Sequence, residues 1–460
     1  MPTSKFEIII IGSGPAGIAA AEAAHAAGAR SIALVESAPR LGGECPNWGC
    51  IPTKSLLSSI EGIVAAKHQG RPASELPKIG VDFGSLLKRE RRVVDMITGG
   101  GRIERVLDSL GAELLRGHAA FVGPNEIEVS GKRYAAEKFV VAVGGISTVP
   151  RIPGLIETGY LTVRDILALG KTPRSLAIIG GGPVGCEFAQ IFAPLGVAVT
   201  IIEFADHILP REDAEIAAIV EQSFRDQKIG LLTSAKIESV GQERDAVVLA
   251  VRLRDGSARQ VRAEKIFLAA GKKPDLSGLG LETVGVQRDV EDRIKFNDFF
   301  QTENPAIYIA GDAAGRLMYT SVAHREGSAA GHNAIKGNVV RVDLSVLPRG
   351  TYCHPEVGSV GLTEKEARDQ GYDVGVGRAP YSMLSRSLTS GETEGLVKIV
   401  ADKKTGLILG GHIVGQSASE LVHEIALAMY TGLTYQDFSN MIHAFPTFAE
   451  GIGVAAGNVD

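Results

Sequence analysis

Cys45 and Cys50 are the residues in this sequence whose types and spacing most clearly indicate a chemical reaction. Four residues separate them, and the other two cysteines of the chain, Cys186 and Cys353, are isolated. A zinc site needs about four ligands at characteristic spacing, so the sequence predicts no metal site. Where cysteine is this scarce, as in cytosolic proteins, a disulfide is usually catalytic. The pair is therefore interpreted as a redox-active disulfide, with two inert thiols as the alternative.

Two charged residues are candidates to act beside this pair. Lys54 lies four residues beyond Cys50, which on a helix is the same face, and a cation there favours a thiolate. A solvated lysine is the ordinary alternative. Glu187 could pair with Lys54 from far along the chain, but sequence spacing does not establish that contact.

A repeated pattern indicates two nucleotide-binding folds. Each copy has an apolar strand, a glycine-rich turn, a helix and a second strand that ends in an acid. Such glycines allow a tight turn and close approach of a pyrophosphate to the helix N-terminus, and the acid accepts hydrogen bonds from ribose hydroxyls. One such turn is weak evidence, but two complete copies are strong. The residues are Gly12, Gly14, Gly17 and Glu36 in the first copy, and Gly180, Gly182, Gly185 and Glu203 in the second.

The length of 460 residues predicts about three domains. We expect an α/β protein with two Rossmann-like dinucleotide-binding domains and an α+β C-terminal domain. The predicted first domain is discontinuous, at 1–150 and 275–340, the second is 151–274 and the third is 341–460. Strands are expected at 394–400 and 407–414, and a helix at 418–430, where apolar residues recur with a helical period.

The composition argues against several classes of partner. A net charge of -5 and a pI near 6.1 give no reason to expect nucleic acid or an anionic membrane. The first residues lack the pattern of a signal peptide, and the Ala-rich stretch 17–29 is too short and too charged to span a bilayer. It is interpreted as a buried helix, and the protein is predicted to be cytoplasmic.

Together these segments resemble the class I pyridine nucleotide:disulfide oxidoreductase family, the flavoproteins that include dihydrolipoamide dehydrogenase, glutathione reductase and mercuric reductase. The resemblance covers essentially the whole chain, and the cysteine segment is its most specific part. It rests on GSGPAG, GGECPNWGCIPTK, GGGPVGCE, AGDAAG and FPTFAE.

The resemblance implies a role for each domain. The first would bind FAD, with Asp312 on the ribityl chain and Ala313 near the pyrophosphate. The second would bind NAD, because a carboxylate at Glu203 favours a ribose hydroxyl over a 2′-phosphate. Cys50 would be the charge-transfer thiolate nearest the flavin and Cys45 the thiol that meets the substrate, with Lys54 and Glu187 paired near flavin N5. The last domain would form a homodimer.

One departure from the family pattern limits the substrate assignment. Dihydrolipoamide dehydrogenases and glutathione reductases end in a motif resembling His-x-His-Pro-Thr-x-x-Glu, whose second histidine is the acid/base. Phe445 occupies that position here, while His443 and Glu450 survive as catalytic candidates. A positioned acid/base contributes about 10²–10⁴-fold to rate. The loss resembles that in mercuric reductases.

Three functions remain open from the sequence. The leading hypothesis is a dihydrolipoamide dehydrogenase-type enzyme that passes electrons between NAD(H) and a dithiol, either a small molecule or a lipoyl-carrying protein. The alternative, motivated by Phe445, is an NADH-dependent reductase of metal ions, quinones or another disulfide. The third is a flavoprotein subunit without catalysis.

Overall fold

The computed structural model describes residues 4–68, 82–289 and 293–460. The chain forms two compact units, each assembled from three separate segments. Unit 1 comprises Met1–Pro52, Lys88–Thr148 and Gly271–Leu344, and unit 2 comprises Thr53–Leu87, Val149–Ala270 and Ser345–Asp460. The three-domain bounds expected from the sequence stay a prediction.

The strands are β1 (Ser4–Ile11), β2 (Ile32–Glu36), β3 (Ala112–Arg116), β4 (Ala119–Gly123), β5 (Glu126–Val129), β6 (Lys132–Val141), β7 (Gly145–Ser147), β8 (Ser175–Ile179), β9 (Ala198–Ile202), β10 (Gly230–Leu232), β11 (Ala235–Glu243), β12 (Ala246–Leu253), β13 (Ala258–Ala263), β14 (Lys265–Leu268), β15 (Lys272–Pro274), β16 (Ile307–Ile309), β17 (Arg349–Thr351), β18 (Val357–Gly361), β19 (Val374–Pro380), β20 (Leu396–Asp402) and β21 (Ile408–Val414).

The α-helices are α1 (Pro15–Ala26), α2 (Glu44–Asn47), α3 (Cys50–His68), α4 (Phe83–Thr98), α5 (Arg102–Ser109), α6 (Leu155–Thr158), α7 (Val163–Leu167), α8 (Pro183–Phe192), α9 (Ala214–Asp226), α10 (Thr320–Lys336), α11 (Glu364–Asp369), α12 (Ser385–Ser390), α13 (Ala418–Thr431), α14 (Tyr435–Asn440) and α15 (Glu450–Gly457). A short 3₁₀ helix, Ala193–Leu195, follows α8 directly.

Unit 1 is built on a sheet with the strand order β3-β2-β1-β6-β5-β4, to which β16 adds by pairing with β6. β1 is parallel to both β2 and β6. The isoleucines at 8, 9 and 10 of β1 are fully buried, as expected for a parallel strand covered on both faces. The first predicted strand–turn–helix–strand pattern is therefore confirmed in this sheet.

Helices α1 and α10 cover this sheet at an unusually small separation. A Cβ on Gly327 would lie 2.0 Å from the carbonyl oxygen of Ala16, and a Cβ on Gly331 would lie 2.2 Å from that of Ala20. Small residues on both helices allow the two backbones to approach this closely. The Ala-rich segment is thus a buried helix, as predicted.

Unit 2 contains the second copy of the pattern. Its parallel sheet has the order β10-β9-β8-β14, beside an antiparallel sheet β11-β12-β13. Phe188 of α8 packs on Phe267 of β14 with ring centroids 4.8 Å apart. These aromatic rings belong to one buried cluster that also includes Val357 and Val414.

The C-terminal part of unit 2 is an antiparallel sheet, β17-β18-β21-β20-β19, with α13 packed on it. The strands expected at 394–400 and 407–414 are β20 and β21, and the expected helix is α13. The α/β class with two Rossmann-like folds and an α+β C-terminal part is confirmed. Among the described residues, no helix has both the length and the apolar character to cross a membrane.

Candidate active site

The first glycine-rich turn fits a dinucleotide. Gly12 has φ +110°, and a Cβ there would lie 2.3 Å from the carbonyl oxygen of Ala142. A Cβ on Gly17 would lie 1.8 Å from the carbonyl oxygen of Gly12, so backbone packing requires both glycines. Gly14 caps α1. The atom nearest to a Cβ added at Gly14 is the Cα of Gly43, 3.9 Å away. That open side at a helix N-terminus is where a phosphate would approach.

The acid of this first copy is held at the same turn. Glu36, at the end of β2, accepts hydrogen bonds from the backbone N–H of Ser13 at 3.1 Å and from its hydroxyl at 2.5 Å. It also accepts one from the N–H of Ala38 at 2.7 Å. The carboxylate is therefore fixed beside the glycines, where a ribose hydroxyl can reach it.

The second copy repeats this geometry in unit 2. A Cβ on Gly180 would lie 2.4 Å from the carbonyl oxygen of Ala269, and one on Gly185 would lie 2.0 Å from that of Gly180. Gly182 has no atom within 4 Å of an added Cβ. Glu203 accepts hydrogen bonds from the N–H groups of Gly181 at 2.6 Å and Ala205 at 2.7 Å. Both turns therefore present an open helix N-terminus and an anchored carboxylate.

The structure holds Cys45 and Cys50 as thiols, Cys45 half-buried and Cys50 exposed. The hydrogen bond from the Cys45 thiol to Cys50, together with burial, raises the pKa of Cys45 well above its usual range. Cys50 begins α3, and the positive end of a helix stabilises a thiolate. The environment of the reduced pair therefore favours the protonated form of the Cys45 thiol.

Thr320, the first residue of α10, is a partner of this pair that the sequence did not indicate. Its Oγ1 lies 3.4 Å from the Cys50 Sγ. Its hydroxyl also forms a hydrogen bond with Cys45 that lowers the pKa of this thiol. The effects of Cys50 and of burial, which raise the pKa, are larger. One hydroxyl therefore contacts both sulfurs of the dithiol.

Lys272 joins two acids in unit 1. Its Nζ lies 2.6 Å from Oδ2 of Asp312 and 2.8 Å from Oε2 of Glu44. Burial works against the charge on Lys272, but the two carboxylates outweigh it and raise its pKa. Asp312 was predicted as a cofactor residue, and Ala313 beside it is fully buried. The sequence did not indicate the contact between Lys272 and Glu44, although Glu44 directly precedes Cys45.

Lys54 and Glu187 form the ion pair proposed from the sequence. Lys54 Nζ donates to both carboxylate oxygens of Glu187 at 2.8 Å, and the Glu187 side chain is 3 % exposed. Glu187 also accepts the backbone N–H of Tyr352 at 3.2 Å. The same ammonium lies 4.7 Å from the centroid of the Tyr352 ring. Tyr352 therefore contacts both members of the pair, a role that no sequence motif indicated.

In the C-terminal motif, His443 and Glu450 have separate partners. His443 Nε2 lies 2.8 Å from Oε1 of Glu424, a residue of α13. Glu450, the acid of the motif, accepts the backbone N–H of Thr447 at 3.0 Å. Phe445 is 73 % exposed. The acid that the structure brings to His443 is thus Glu424, which was not predicted.

The structure brings Lys54 to Glu187 and places Asp312 in the same unit as the dithiol. Across the described ranges, no cluster of three His, Cys, Asp or Glu side chains could hold a metal ion.

Comparison with known proteins shows that the chain belongs to the pyridine nucleotide-disulphide oxidoreductase family. The model of that family matches residues 6–327, and the model of its dimerisation domain matches residues 347–456. Members of the family use FAD and NAD(H). The dimerisation domain supports a homodimer.

The relatives span more than one substrate. A mercuric reductase of Bacillus cereus is 36% identical over 99% of this chain and 72% of its own length. A dihydrolipoyl dehydrogenase of Thermus scotoductus is 37% identical over 98% of this chain and 96% of its own length. The Cu(II) complex of the HOCl-induced flavoprotein disulfide reductase RclA from Escherichia coli has a TM-score of 0.87 at 26% identity and covers 99% of both chains. The class is therefore a flavoprotein disulfide oxidoreductase.

Proposed function

We propose that this protein is an NADH-dependent flavoprotein reductase that delivers electrons through Cys45 and Cys50 to a thiol-binding metal ion such as Hg²⁺ or Cu²⁺. The observation that carries the proposal is the C-terminal motif. Phe445, in the position of the family acid/base, cannot move a proton, and the side chain of His443 is 8 % exposed and bound to Glu424. Metal reduction requires no proton transfer to the acceptor, whereas reaction of a dithiol requires its deprotonation.

The residues that would hold the cofactors are those of the two glycine-rich turns. Gly12, Gly14, Gly17 and Glu36, with Asp312 and Ala313, would hold FAD, and Gly180, Gly182, Gly185 and Glu203 would hold NADH. Bound FAD supplies the two-electron exchange between a nicotinamide and a disulfide. The contribution of the chain is to hold the anionic phosphates at helix N-termini and the ribose hydroxyls at the two acids.

The dithiol is suited to a soft metal ion. Thiolates bind such ions, and Cys50 is placed to be a thiolate at the start of α3. Cys186 and Cys353 are buried, so Cys45 and Cys50 are the thiols that a metal can reach. The electrons balance: one NADH and one Hg²⁺ give NAD⁺, H⁺ and Hg⁰, and one NADH and two Cu²⁺ give NAD⁺, H⁺ and two Cu⁺.

The test compares cysteine variants under anaerobic conditions. NADH consumption is followed with Hg²⁺ or Cu²⁺, and Cu⁺ is trapped with a colorimetric chelator. We expect turnover to fall at least tenfold in Cys45→Ser and Cys50→Ser but to persist in Cys353→Ser, a buried control. Quinone reduction at the flavin should survive all three substitutions. Metal-dependent turnover that is unchanged in both active-site variants would refute the proposal.

Dihydrolipoamide dehydrogenase activity is the second candidate. It is favoured by the nearly full-length similarity to the Thermus scotoductus enzyme. In this direction a dithiol, free or carried on a lipoyl protein, reduces the Cys45–Cys50 disulfide and NAD⁺ is reduced. NAD⁺ reduction by dihydrolipoamide that exceeds the metal-dependent rate and disappears in Cys45→Ser would establish this candidate instead.

A further inference from the structure

We propose that Lys272 is a positioning residue that serves the dithiol through Glu44 and the cofactor through Asp312. This inference rests on the proposed function insofar as Cys45 is the thiol that meets the acceptor. Lys272 makes two contacts of ion-pair length in unit 1, at 2.6 Å and 2.8 Å. The side chain of Lys272 is 28% exposed and those of Asp312 and Glu44 are 18% and 35% exposed, so solvent only partly screens the three charges.

The backbone that carries Lys272 is fixed independently of these contacts. β15 pairs antiparallel with β7, with Lys272 opposite Ser147. The N–H of Thr148 donates to the carbonyl oxygen of Gly271 at 2.9 Å. A Cβ on Gly145 would lie 2.7 Å from the carbonyl oxygen of Lys273 and 3.4 Å from Cβ of Asp312. The ammonium group of Lys272 therefore extends from a strand whose backbone is held by β7.

The Glu44 contact acts on the dithiol because Glu44 and Cys45 are consecutive in α2. The carbonyl oxygen of Glu44 accepts the N–H groups of Trp48 at 2.9 Å and Gly49 at 2.8 Å, which closes the turn around Cys45. A carboxylate beside a thiol disfavours its thiolate, and a cation paired with that carboxylate removes the penalty. Lys272 thus holds the start of α2 and pairs with the acid that directly precedes Cys45 in the chain.

The Asp312 contact acts on the cofactor side. Asp312 lies in the turn between β16 and α10, and the Lys272 ammonium orients its carboxylate through a hydrogen bond of 2.6 Å. The contacts of Lys272 with Glu44 and with Asp312 therefore have different effects. Loss of Glu44 affects the thiol alone, whereas loss of Lys272 affects both the thiol and the retention of FAD.

The experiment uses the holoenzyme with Cys50→Ser as background, so that Cys45 is the accessible thiol. Alkylation of Cys45 by iodoacetamide near neutral pH is followed by mass spectrometry, and FAD affinity is followed by flavin fluorescence. Lys273→Met is the matched control, because Lys273 is the exposed lysine next along the same strand. Neither readout contains an electron acceptor, so failure of the proposed substrate does not affect them.

We expect Lys272→Met to slow alkylation by about threefold to tenfold relative to Lys273→Met, since one pKa unit is about a tenfold change in thiolate. FAD affinity should fall by about tenfold, a typical size for a lost charged hydrogen bond. Glu44→Gln should accelerate alkylation by about threefold and leave FAD affinity unchanged. The double variant should recover the alkylation rate but not FAD affinity, and Lys272→Arg should preserve both.

Two results would overturn the proposal. One is that Lys272→Met matches Lys273→Met in both readouts. The other is that Glu44→Gln fails to restore alkylation in the double variant, because the pair would then not be the route to the thiol. If Lys272→Met does not fold, the alkylation rate of Cys45 in Glu44→Gln decides the question. An alkylation rate that is unchanged or slower than in the parent would refute the coupling.

Discussion

His443 is bound by Glu424 of α13, with 2.8 Å between Nε2 and Oε1, whereas Glu450 accepts a backbone N–H from Thr447. The carboxylate that orients the surviving histidine thus comes from outside the C-terminal motif. The chain thus contains a His–carboxylate pair, and an exposed phenylalanine, Phe445, two residues further along the motif.

Glu424→Gln should lower the residual rate of dihydrolipoamide oxidation by at least about tenfold, because it removes the carboxylate that holds the His443 ring. A positioned acid/base group contributes about 10²–10⁴-fold to rate. Glu450→Gln, the matched control, should have a smaller effect. Metal-dependent NADH oxidation should be unchanged in both. The measurement is the steady-state rate with each acceptor, and equal losses in the two variants would contradict this assignment.

Phe445→His should raise the rate with dihydrolipoamide by about tenfold to a hundredfold, the lower part of the range for a restored acid/base. Phe445→Leu is the control, since it removes the aromatic ring without adding a titratable group. The rate with metal ions should stay within about twofold of the parent. No gain with dihydrolipoamide in the histidine variant would show that deprotonation of the dithiol does not limit the reaction.

Lys54→Met should destabilise the folded protein by about 3 kcal/mol, because it leaves the buried carboxylate of Glu187 without its cation. The double variant Lys54→Met/Glu187→Gln should recover most of this loss. Urea unfolding of the apoprotein provides the free energies. A double variant as unstable as the single one would indicate that packing of the Lys54 stem, and not the unpaired charge, was lost.

The Tyr352 ring should contribute to the same pair. Tyr352→Leu should cost about 0.5–2 kcal/mol of unfolding free energy, the range for a cation–π contact, and should speed chemical labelling of Lys54 by an amine reagent. Tyr352→Phe keeps the ring and should behave as the parent in both measurements. Equal labelling rates in the two variants would rule out a contribution from the ring.

Acid should destabilise unit 2 through Glu215. Its side-chain hydrogen bond to Arg378 and the nearby charge of Lys398 outweigh burial and lower its pKa from 4.5 to about 2. Above pH 4.5 this stabilisation is fully present, and it is lost as the pH falls towards 2, because the unfolded chain takes up the proton first. The unfolding free energy of Glu215→Gln, measured at about pH 6 and about pH 3, should change less than that of the parent. An equal change in both proteins would contradict the prediction.

Glu326 should give the opposite dependence. Burial raises its pKa from 4.5 to about 7, and this effect outweighs the opposing hydrogen bond from the N–H of Gly311 to Oε2 at 2.9 Å. The unfolded chain releases the proton first as the pH rises, so stability falls between pH 4.5 and 7. Glu326→Gln should therefore exceed the parent in unfolding free energy by about 1–3 kcal/mol at about pH 8 and match it only at about pH 4. A constant difference at both pH values would refute this.

The features that could be predicted from sequence are those in which local chemistry and local geometry coincide. Gly12 and Glu36, or Gly180 and Glu203, belong to one strand–turn–helix–strand segment, so their proximity follows from the pattern itself. The C-terminal helix and strands could likewise be located from their periodicity. The pairing of Lys54 with Glu187 needed the family resemblance, because 133 positions separate the two residues.

The contacts that sequence reasoning missed depend on tertiary structure. Lys272 reaches Glu44 only because β15 adds to β7, and a three-residue strand such as β15 has too few residues for a periodicity to be recognised. Thr320 reaches Cys50 across 270 positions. Glu424 contacts His443 because the chain turns back after α14. The sequence around an acidic helix residue does not indicate which distant residue will pair with it. The acidic residue beside Cys45 was the one available signal for Lys272.

The close packing of α1 against α10 has a consequence for biosynthesis. Gly327 packs against Ala16, and Gly331 packs against Ala20. β16 pairs with β6 and so completes the sheet that contains β1. A ribosome must therefore release more than two thirds of the polypeptide before the N-terminal nucleotide fold can close its core. Contacts of such long range form slowly and leave apolar surface uncovered during translation. We therefore expect the nascent N-terminal segment to expose apolar surface to chaperones until α10 and β16 have been synthesised.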